Sequence, residues 1–281
     1  MARSLDARTE FSMRRLSLAV VAATTSLILG TTTTTASAAE WRQTTNQSFH
    51  LLTALQRSQG VATDGQYWYF SWQFGLSKVT LDGESTLTSK TLAIPAEFLA
   101  QGDNHIGDID YYQSRLYVPI EDGSAYQHGH VAVFDAATLE YTGISYDLPQ
   151  SVQRDGVPWV AVDPARGYFY SSEYNATALN AYSLTDGHLV KQIPLSQPVP
   201  KVQGAKIYQG QLYASSNGPT KSVFRIDPDS GSVSDVLDSG LSEDTETEGL
   251  VFLSRPDGSA MHVLDVAPNR LSVNFRHYEP S

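Results

Sequence analysis

Beyond about residue 47 the chain alternates apolar and polar positions in short runs, each bounded by Gly, Asp, Gln or Pro, the period of half-buried strands joined by turns. One pattern returns five times. A small residue opens a short strand (Gly60-Val-Ala-Thr, Ile109-Asp-Tyr-Tyr, Val160-Ala-Val, Ala205-Lys-Ile-Tyr, Leu250-Val-Phe), a turn follows, and an aromatic-rich strand ends in polar residues. The second strands read Tyr67-Trp-Tyr-Phe-Ser, Leu116-Tyr-Val-Pro, Tyr168-Phe-Tyr-Ser-Ser, Leu212-Tyr-Ala-Ser-Ser and Met261-His-Val-Leu-Asp. Four copies add a third strand running into a turn, as in Val223-Phe-Arg-Ile-Asp-Pro-Asp-Ser-Gly. The opening positions 60, 107, 160, 204 and 249 are spaced by 47, 53, 44 and 45 residues, close to the roughly 40–45 residues of a four-stranded propeller blade. The expected fold is all-β, a five-bladed β-propeller.

Closure is argued from the ends. The fifth copy supplies strands near 249–253, 260–265 and 271–277 and stops one strand short. Residues 47–53 can supply the missing strand and pair with 271–277, which removes an open edge. His50 and His277 are then strand residues, and Trp68, between Tyr67 and Tyr69, is expected between blades.

Composition changes the picture at the N-terminus. Arg14-Arg15, an apolar run from Leu16 to Gly30 and Ala36-Ser37-Ala38 fit a secretory signal peptide over residues 1–38, with Met13 as a second possible start. The run is shorter than the roughly 20 residues of a membrane span. Residues 39–281 are expected to form one secreted, extracellular, monomeric domain without a membrane span, carrying 15 basic and 28 acidic residues, a net charge of −13. Such a surface repels nucleic acid and anionic lipid and favours cations or neutral substrates. The chain has no cysteine, which excludes thiol catalysis, disulfides and cysteine-ligated metal.

In a propeller the turns entering the first strand and leaving the second gather around one end of the channel, so the repeat indexes a candidate site. Entrances place Gln59, His105 with Asp108, Trp159, Gln203 and Glu248 there; exits place Trp72 with Gln73, Glu121 with Asp122, Glu173 with Tyr174 and Asn175, Ser216 with Asn217, and Asp265. Convergent polar and aromatic groups are what a binding pocket requires. Glu248, His105 and Asp108 are the catalytic candidates. Acidic neighbours Glu243, Asp244 and Glu246 should raise the Glu248 carboxyl for acid–base work. Gln59, Trp72, Trp159, Gln203, Glu173 and Asn217 are the substrate-binding candidates, Trp159 alternatively a core residue. Glu121, Asp122 and Asp265 offer hard oxygen ligands for a divalent metal, calcium first and zinc second. His128-Gly-His130 reads as a solvated turn.

Ser58-Gln59-Gly60-Val61, Phe74-Gly-Leu-Ser-Lys-Val, Trp159-Val-Ala-Val-Asp, Gly210-Gln-Leu-Tyr-Ala with Val223-Phe-Arg-Ile-Asp-Pro, and Thr247-Glu-Gly-Leu together resemble the five-bladed propellers of the plant and bacterial glutaminyl-peptide cyclotransferase type. The resemblance spans nearly the whole of residues 39–281 and implies a channel-face pocket in which N-terminal glutamine is cyclised, with Gln59 and Glu248 at the matching positions. Three functions follow. One is a secreted metal-assisted hydrolase or lyase acting on an extracellular carbohydrate or phosphoester, so that the partner is a small molecule or polysaccharide. The second is a cyclotransferase-like enzyme. The third is a non-catalytic ligand- or glycan-binding propeller. The channel positions differ from blade to blade, which favours one central site and an enzyme over a lectin with repeated sites.

Overall fold

The computed structural model describes residues 40–281; the expected signal segment and the alternative start at Met13 lie outside the described residues. Five antiparallel sheets follow one another as blades. Blade one holds β2 (Gly60–Thr63), β3 (Tyr67–Trp72), β4 (Gly75–Thr80) and β5 (Thr86–Lys90), after β1 (Trp41–His50) and a one-turn helix α1 (Leu52–Leu55). A second short helix, α2 (Ala96–Leu99), leads to blade two: β6 (His105–Ile106), β7 (Asp110–Tyr112), β8 (Arg115–Glu121), β9 (Gly129–Asp135) and β10 (Tyr141–Asp147). Blade three comprises β11 (Ala161–Asp163), β12 (Tyr168–Ser171), β13 (Ala176–Ser183) and β14 (Leu189–Val199); blade four comprises β15 (Val202–Tyr208), β16 (Gln211–Ser216), β17 (Ser222–Ile226) and β18 (Val233–Asp238). Blade five is β19 (Glu246–Phe252), β20 (Met261–Val266) and β21 (Ser272–Pro280), completed by β1 in the order β1-β21-β20-β19.

The ring therefore closes by pairing its two ends, with Trp41 opposite Pro280 and His50 opposite Ser272. The closing strand starts earlier than the expected residues 47–53 and ends at His50, because Leu51 takes a left-handed φ of 54° and turns the chain into α1. β1 is the outermost strand, and only Trp41 and Phe49 of it are buried. Its polar residues face solvent on both sides, so alternation cannot mark its start.

The core is divided as the blades are. Five apolar clusters lie at the five blade contacts: Tyr69, Leu116 and Phe134 between blades one and two; Tyr117, Val133 and Phe169 between two and three; Tyr170, Ala205 and Leu212 between three and four; Tyr213, Leu250 and Met261 between four and five; Val61, Trp68 and Phe275 between five and one. Trp68 meets Phe275 edge-on at 5.2 Å, an arrangement that aromatic quadrupoles favour. At the last contact the buried Arg57 guanidinium lies 3.9 Å over the Phe49 ring and donates to the Gly83 carbonyl at 3.0 Å, joining the closing strand to blade one.

Blade two departs from the others in one respect that shapes the site. Its inner strand is broken between β6 and β7, and Asp108 steps out of it toward the axis. The Asp108 N–H donates to the Pro158 carbonyl at 2.9 Å, and its own carbonyl accepts from Val160 at 3.1 Å. Oδ1 accepts from the Val61 N–H at 2.9 Å; Oδ2 accepts from the Ala205 N–H at 3.2 Å and from Lys206 Nζ at 2.6 Å. One residue thus binds blades one, three and four. A Cβ at Gly60, Gly204 or Gly249 would sit 2.8, 2.8 or 2.4 Å from its carboxylate, which accounts for the small residue that opens these repeats.

Candidate functional site at the channel mouth

Above Asp108 the entrance and exit turns enclose a cavity of about 290 Å³ lined by Gln59, Gln73, Asn104, His105, Glu121, Gly123, Tyr126, Asp155, Pro158, Tyr174, Gln203 and Glu246. His105 opens the short β6 and Glu121 ends β8 directly opposite it, so the ladder itself brings the two side chains together. Nδ1 of His105 donates to Glu121 Oε1 at 3.1 Å, and Nε2 lies 3.0 Å from Gln59 Oε1. Both ring nitrogens thus face acceptor oxygens; a neutral ring carries one N–H and satisfies one of them, and a second proton on the ring satisfies both. The second Glu121 oxygen accepts from the Val157 N–H. Glu121 is buried while His105 is partly exposed, which presents an imidazole backed by a fixed carboxylate.

The electrostatics of the lining are one-sided. It contains Glu121, Asp155 and Glu246 and, among the described residues, no Lys or Arg. Asp155 is held by the Tyr174 N–H at 2.6 Å and by the Asn175 N–H and Nδ2 at 3.1 Å. Glu246 pairs with Arg270. Such a lining attracts a cationic or hydrogen-bonding neutral group and repels an anion.

The sequence candidates separate on inspection of their contacts. Gln59, His105 and Gln203 line the cavity, with Glu121 behind His105. Asp108 lies beneath, wholly buried, and both its oxygens are engaged as described; burial lifts its carboxyl to about 7 against the pull of Lys206. Glu248 is 1% exposed and neither carboxyl oxygen has a hydrogen-bond partner. Its pKa is raised well above the ordinary carboxylate value by burial first and by Glu246 second, with Asp108 adding to it; Glu243 and Asp244, expected from sequence to drive the shift, are exposed. A carboxyl in such a place is kept protonated.

The remaining candidates are held elsewhere. Trp159 is 1% exposed within the cluster between blades three and four. Trp72 is buried over its own turn, where a Cβ on Gly75 would fall 2.2 Å from the ring. Glu173 is forked by Arg154, with Nε at 2.6 Å and Nη2 at 3.0 Å, and is lowered in pKa by that contact. Asn217 Oδ1 accepts from Lys221 Nζ at 2.6 Å. The three acids read as metal ligands each hold different partners. Glu121 has His105 and Val157; Asp122 accepts the Ala125 and Gln127 N–H groups, both at 2.9 Å; Asp265 binds Arg276 Nε at 2.5 Å and Asn274 Nδ2 at 2.9 Å. Among the described residues no group of three or more His, Cys, Asp or Glu is arranged to hold a metal ion.

Sequence reasoning passed over Asn104, Tyr126, Asp155 and Glu246 as lining residues. Tyr126 and Asp155 sit in the loops that lengthen the second repeat interval to 53 residues, and that excess was the available signal. The reading of His128-Gly-His130 as a solvated turn is corrected for His130. That residue is 5% exposed, stacks on Phe98 at 4.4 Å, and lies 3.2 Å from Asp103 and 2.8 Å from Asp147.

Comparison with known proteins locates this architecture. A family model described as a repeat of unknown function (DUF6923) matches residues 116–252. No curated protein matches the chain. Among solved structures, the glutaminyl cyclase of Myxococcus xanthus superposes with a TM-score of 0.61, covering 86% of this chain and 97% of its own at 12% identity. A protein of unknown function from Bacteroides thetaiotaomicron gives 0.52 at 15% identity, covering 83% of this chain and 61% of its own, so the present chain spans less than two thirds of it. At these identities the likeness is one of fold: the chain is a five-bladed propeller with glutaminyl cyclase among its structural neighbours.

Proposed function

We propose that the mouth cavity is the active site of an acid–base enzyme whose substrate presents a neutral or cationic polar end, with His105 transferring the proton and Glu121 orienting the imidazole. The observation that carries this reading is His105 held between Glu121 and Gln59 at the cavity wall, the base-and-orienter pair that general catalysis uses. Glu248, raised in pKa by burial, lies outside the lining and enters this reading only as a buried neighbour of Glu246. Carboxylates and carboxamides in one cavity suit a substrate with an ammonium and an amide, and the fold shared with the Myxococcus glutaminyl cyclase makes a peptide with N-terminal glutamine the first to test, followed by neutral glycans. The lining disfavours a phosphoester at the reacting end.

A metal-assisted hydrolase or lyase needs an ion, calcium before zinc, to draw Glu121, Asp122 or Asp265 from the donors that hold them now. Elemental analysis of the dialysed protein distinguishes that variant. His105→Ala should lower kcat about 10²–10⁴-fold with folding intact, whereas Glu121→Gln should retain the ring but lose its orienting charge. An unchanged kcat in His105→Ala would remove His105 from catalysis. Saturable binding without turnover across these substrates would favour a ligand-binding propeller.

A further inference from the structure

A second cavity of about 410 Å³ opens between blades four and five, and Glu246 lines both it and the mouth cavity. On its wall are the bases Lys201, Lys221 and Arg270 and the acids Glu243, Asp244 and Glu246. We propose that this cavity is an oxyanion subsite, taking a carboxylate or sulfate carried on the far end of the substrate that enters the mouth cavity; it rests on the reading of the mouth as the reacting site.

Lys221 is the basis. Its side chain is covered, with 4% of the residue exposed, and its ammonium is 2.6 Å from Asn217 Oδ1 and 3.4 Å from the Asn217 carbonyl. The lysine ion pairs among the described residues are Lys90–Glu140 and Lys206–Asp108; neither Lys221 nor Lys201 has a carboxylate within pairing distance. Arg270 spends its charge on Glu246, while Glu243 and Asp244 are exposed at the rim. A covered cation resting on a neutral amide is short of negative charge, and an entering oxyanion would supply it.

Backbone conformation adds to this. Lys201 and Lys221 adopt left-handed φ angles of 49° and 50°, a region that costs a side-chain-bearing residue free energy and that gathers at binding sites. Both turn into the same cavity wall. Burial, and then the neighbouring Lys201, lower the Lys221 ammonium from its ordinary pKa against the opposite pull of Glu246, Glu243 and Asp244, as two cations facing one space require. Asn217 links the cavities: the oxygen that holds Lys221 also accepts the Thr247 N–H at 3.3 Å, on the strand that carries Glu246.

The probes are D-glucuronate, inorganic sulfate and D-glucose, titrated into the purified protein at ionic strength fixed with sodium chloride and followed by calorimetry. At least one of the two anions should bind saturably and glucose should not. The dissociation constant should rise tenfold or more in Lys201→Gln and in Lys221→Met, while His105→Ala binds like the parent. Lys201 is exposed, so its variant carries the test if Lys221→Met does not fold. The anion that binds identifies the group, carboxylate or sulfate. Binding of neither anion, or equal binding in Lys201→Gln, overturns the subsite. Because His105→Ala is read by turnover and Lys201→Gln by affinity, the two failures are told apart: loss of the subsite leaves the catalytic reading standing, whereas loss of the catalytic reading leaves an anion site without its role in the substrate.

Discussion

Asp108 shows how one residue can be structural and central at once. A carboxylate at the axis of a ring is costly to desolvate, and here the cost is offset by two backbone N–H groups and one ammonium. Removing one partner of such a pair leaves the other charged and buried, an effect of about 3–5 kcal/mol. Asp108→Asn is therefore expected to lower the unfolding free energy by that amount in urea, and Lys206→Met added to it should restore a large part. A loss below about 1 kcal/mol, in the range of an exposed pair, would show that the pair is solvated. The same geometry explains why glycine stands at positions 60, 204 and 249 of the inner strands β2, β15 and β19. The sequence displays the small residue, but its reason lies in a different blade, which no local pattern reveals.

At the scale of the strand, β1 carries the closure. It contributes two large buried side chains, Trp41 and Phe49, each worth about 1.5–3 kcal/mol on burial, and it covers the edge of β21. Deleting residues 40–50 should lower the melting temperature and produce aggregates on size exclusion; a deletion variant that melts with the parent and stays monodisperse would contradict closure by β1. The inner and second strands were legible because blades cover both of their faces, so small, apolar and aromatic residues crowd into short runs between turns. Outer strands such as β1 were not, since solvent on both faces removes the alternation. For the site, the positions of Gln59, His105, Gln203 and Glu121 follow from the repeat alone, because entrance and exit turns are ordered by the ladder. What Glu173, Trp72 and Trp159 touch depends on long side chains reaching sideways to Arg154, to a turn and to the next blade, and sequence spacing does not encode those reaches.

Across the whole molecule, acid acts on the same closing blade. His262 Nε2 donates to the Leu253 carbonyl at 2.8 Å, its Nδ1 meets His277 Nδ1 at 2.7 Å, and His277 Nε2 faces Arg255 at 3.3 Å. The chain is complete with both rings neutral: Arg255 donates to His277, His277 to His262, and His262 to Leu253. Burial pushes His262 down to about 4, and burial with the neighbouring His262 pushes His277 to about 3, against about 6.5 unfolded. The unfolded chain takes up these protons first, so their contribution is intact above pH 6.5 and is lost as pH falls toward 3, each ring adding a slope of up to about 1.4 kcal/mol per pH unit. Glu248 and Asp110, raised by burial, work in the opposite direction. The measurement is therefore a comparison: unfolding free energy from pH 7 to 4 should fall less steeply in His277→Gln than in the parent, and equal slopes would reject the assignment.

The axial residue has one more consequence. With Asp108 and Lys206 filling the centre below the mouth, the ring is a cup and not a tube. Whatever enters the mouth cannot pass down through the centre, so it arrives and departs on the face that carries the two cavities. If the mouth is the reacting site proposed above, release of product past the lining Tyr126 and Tyr174 would set a ceiling on turnover.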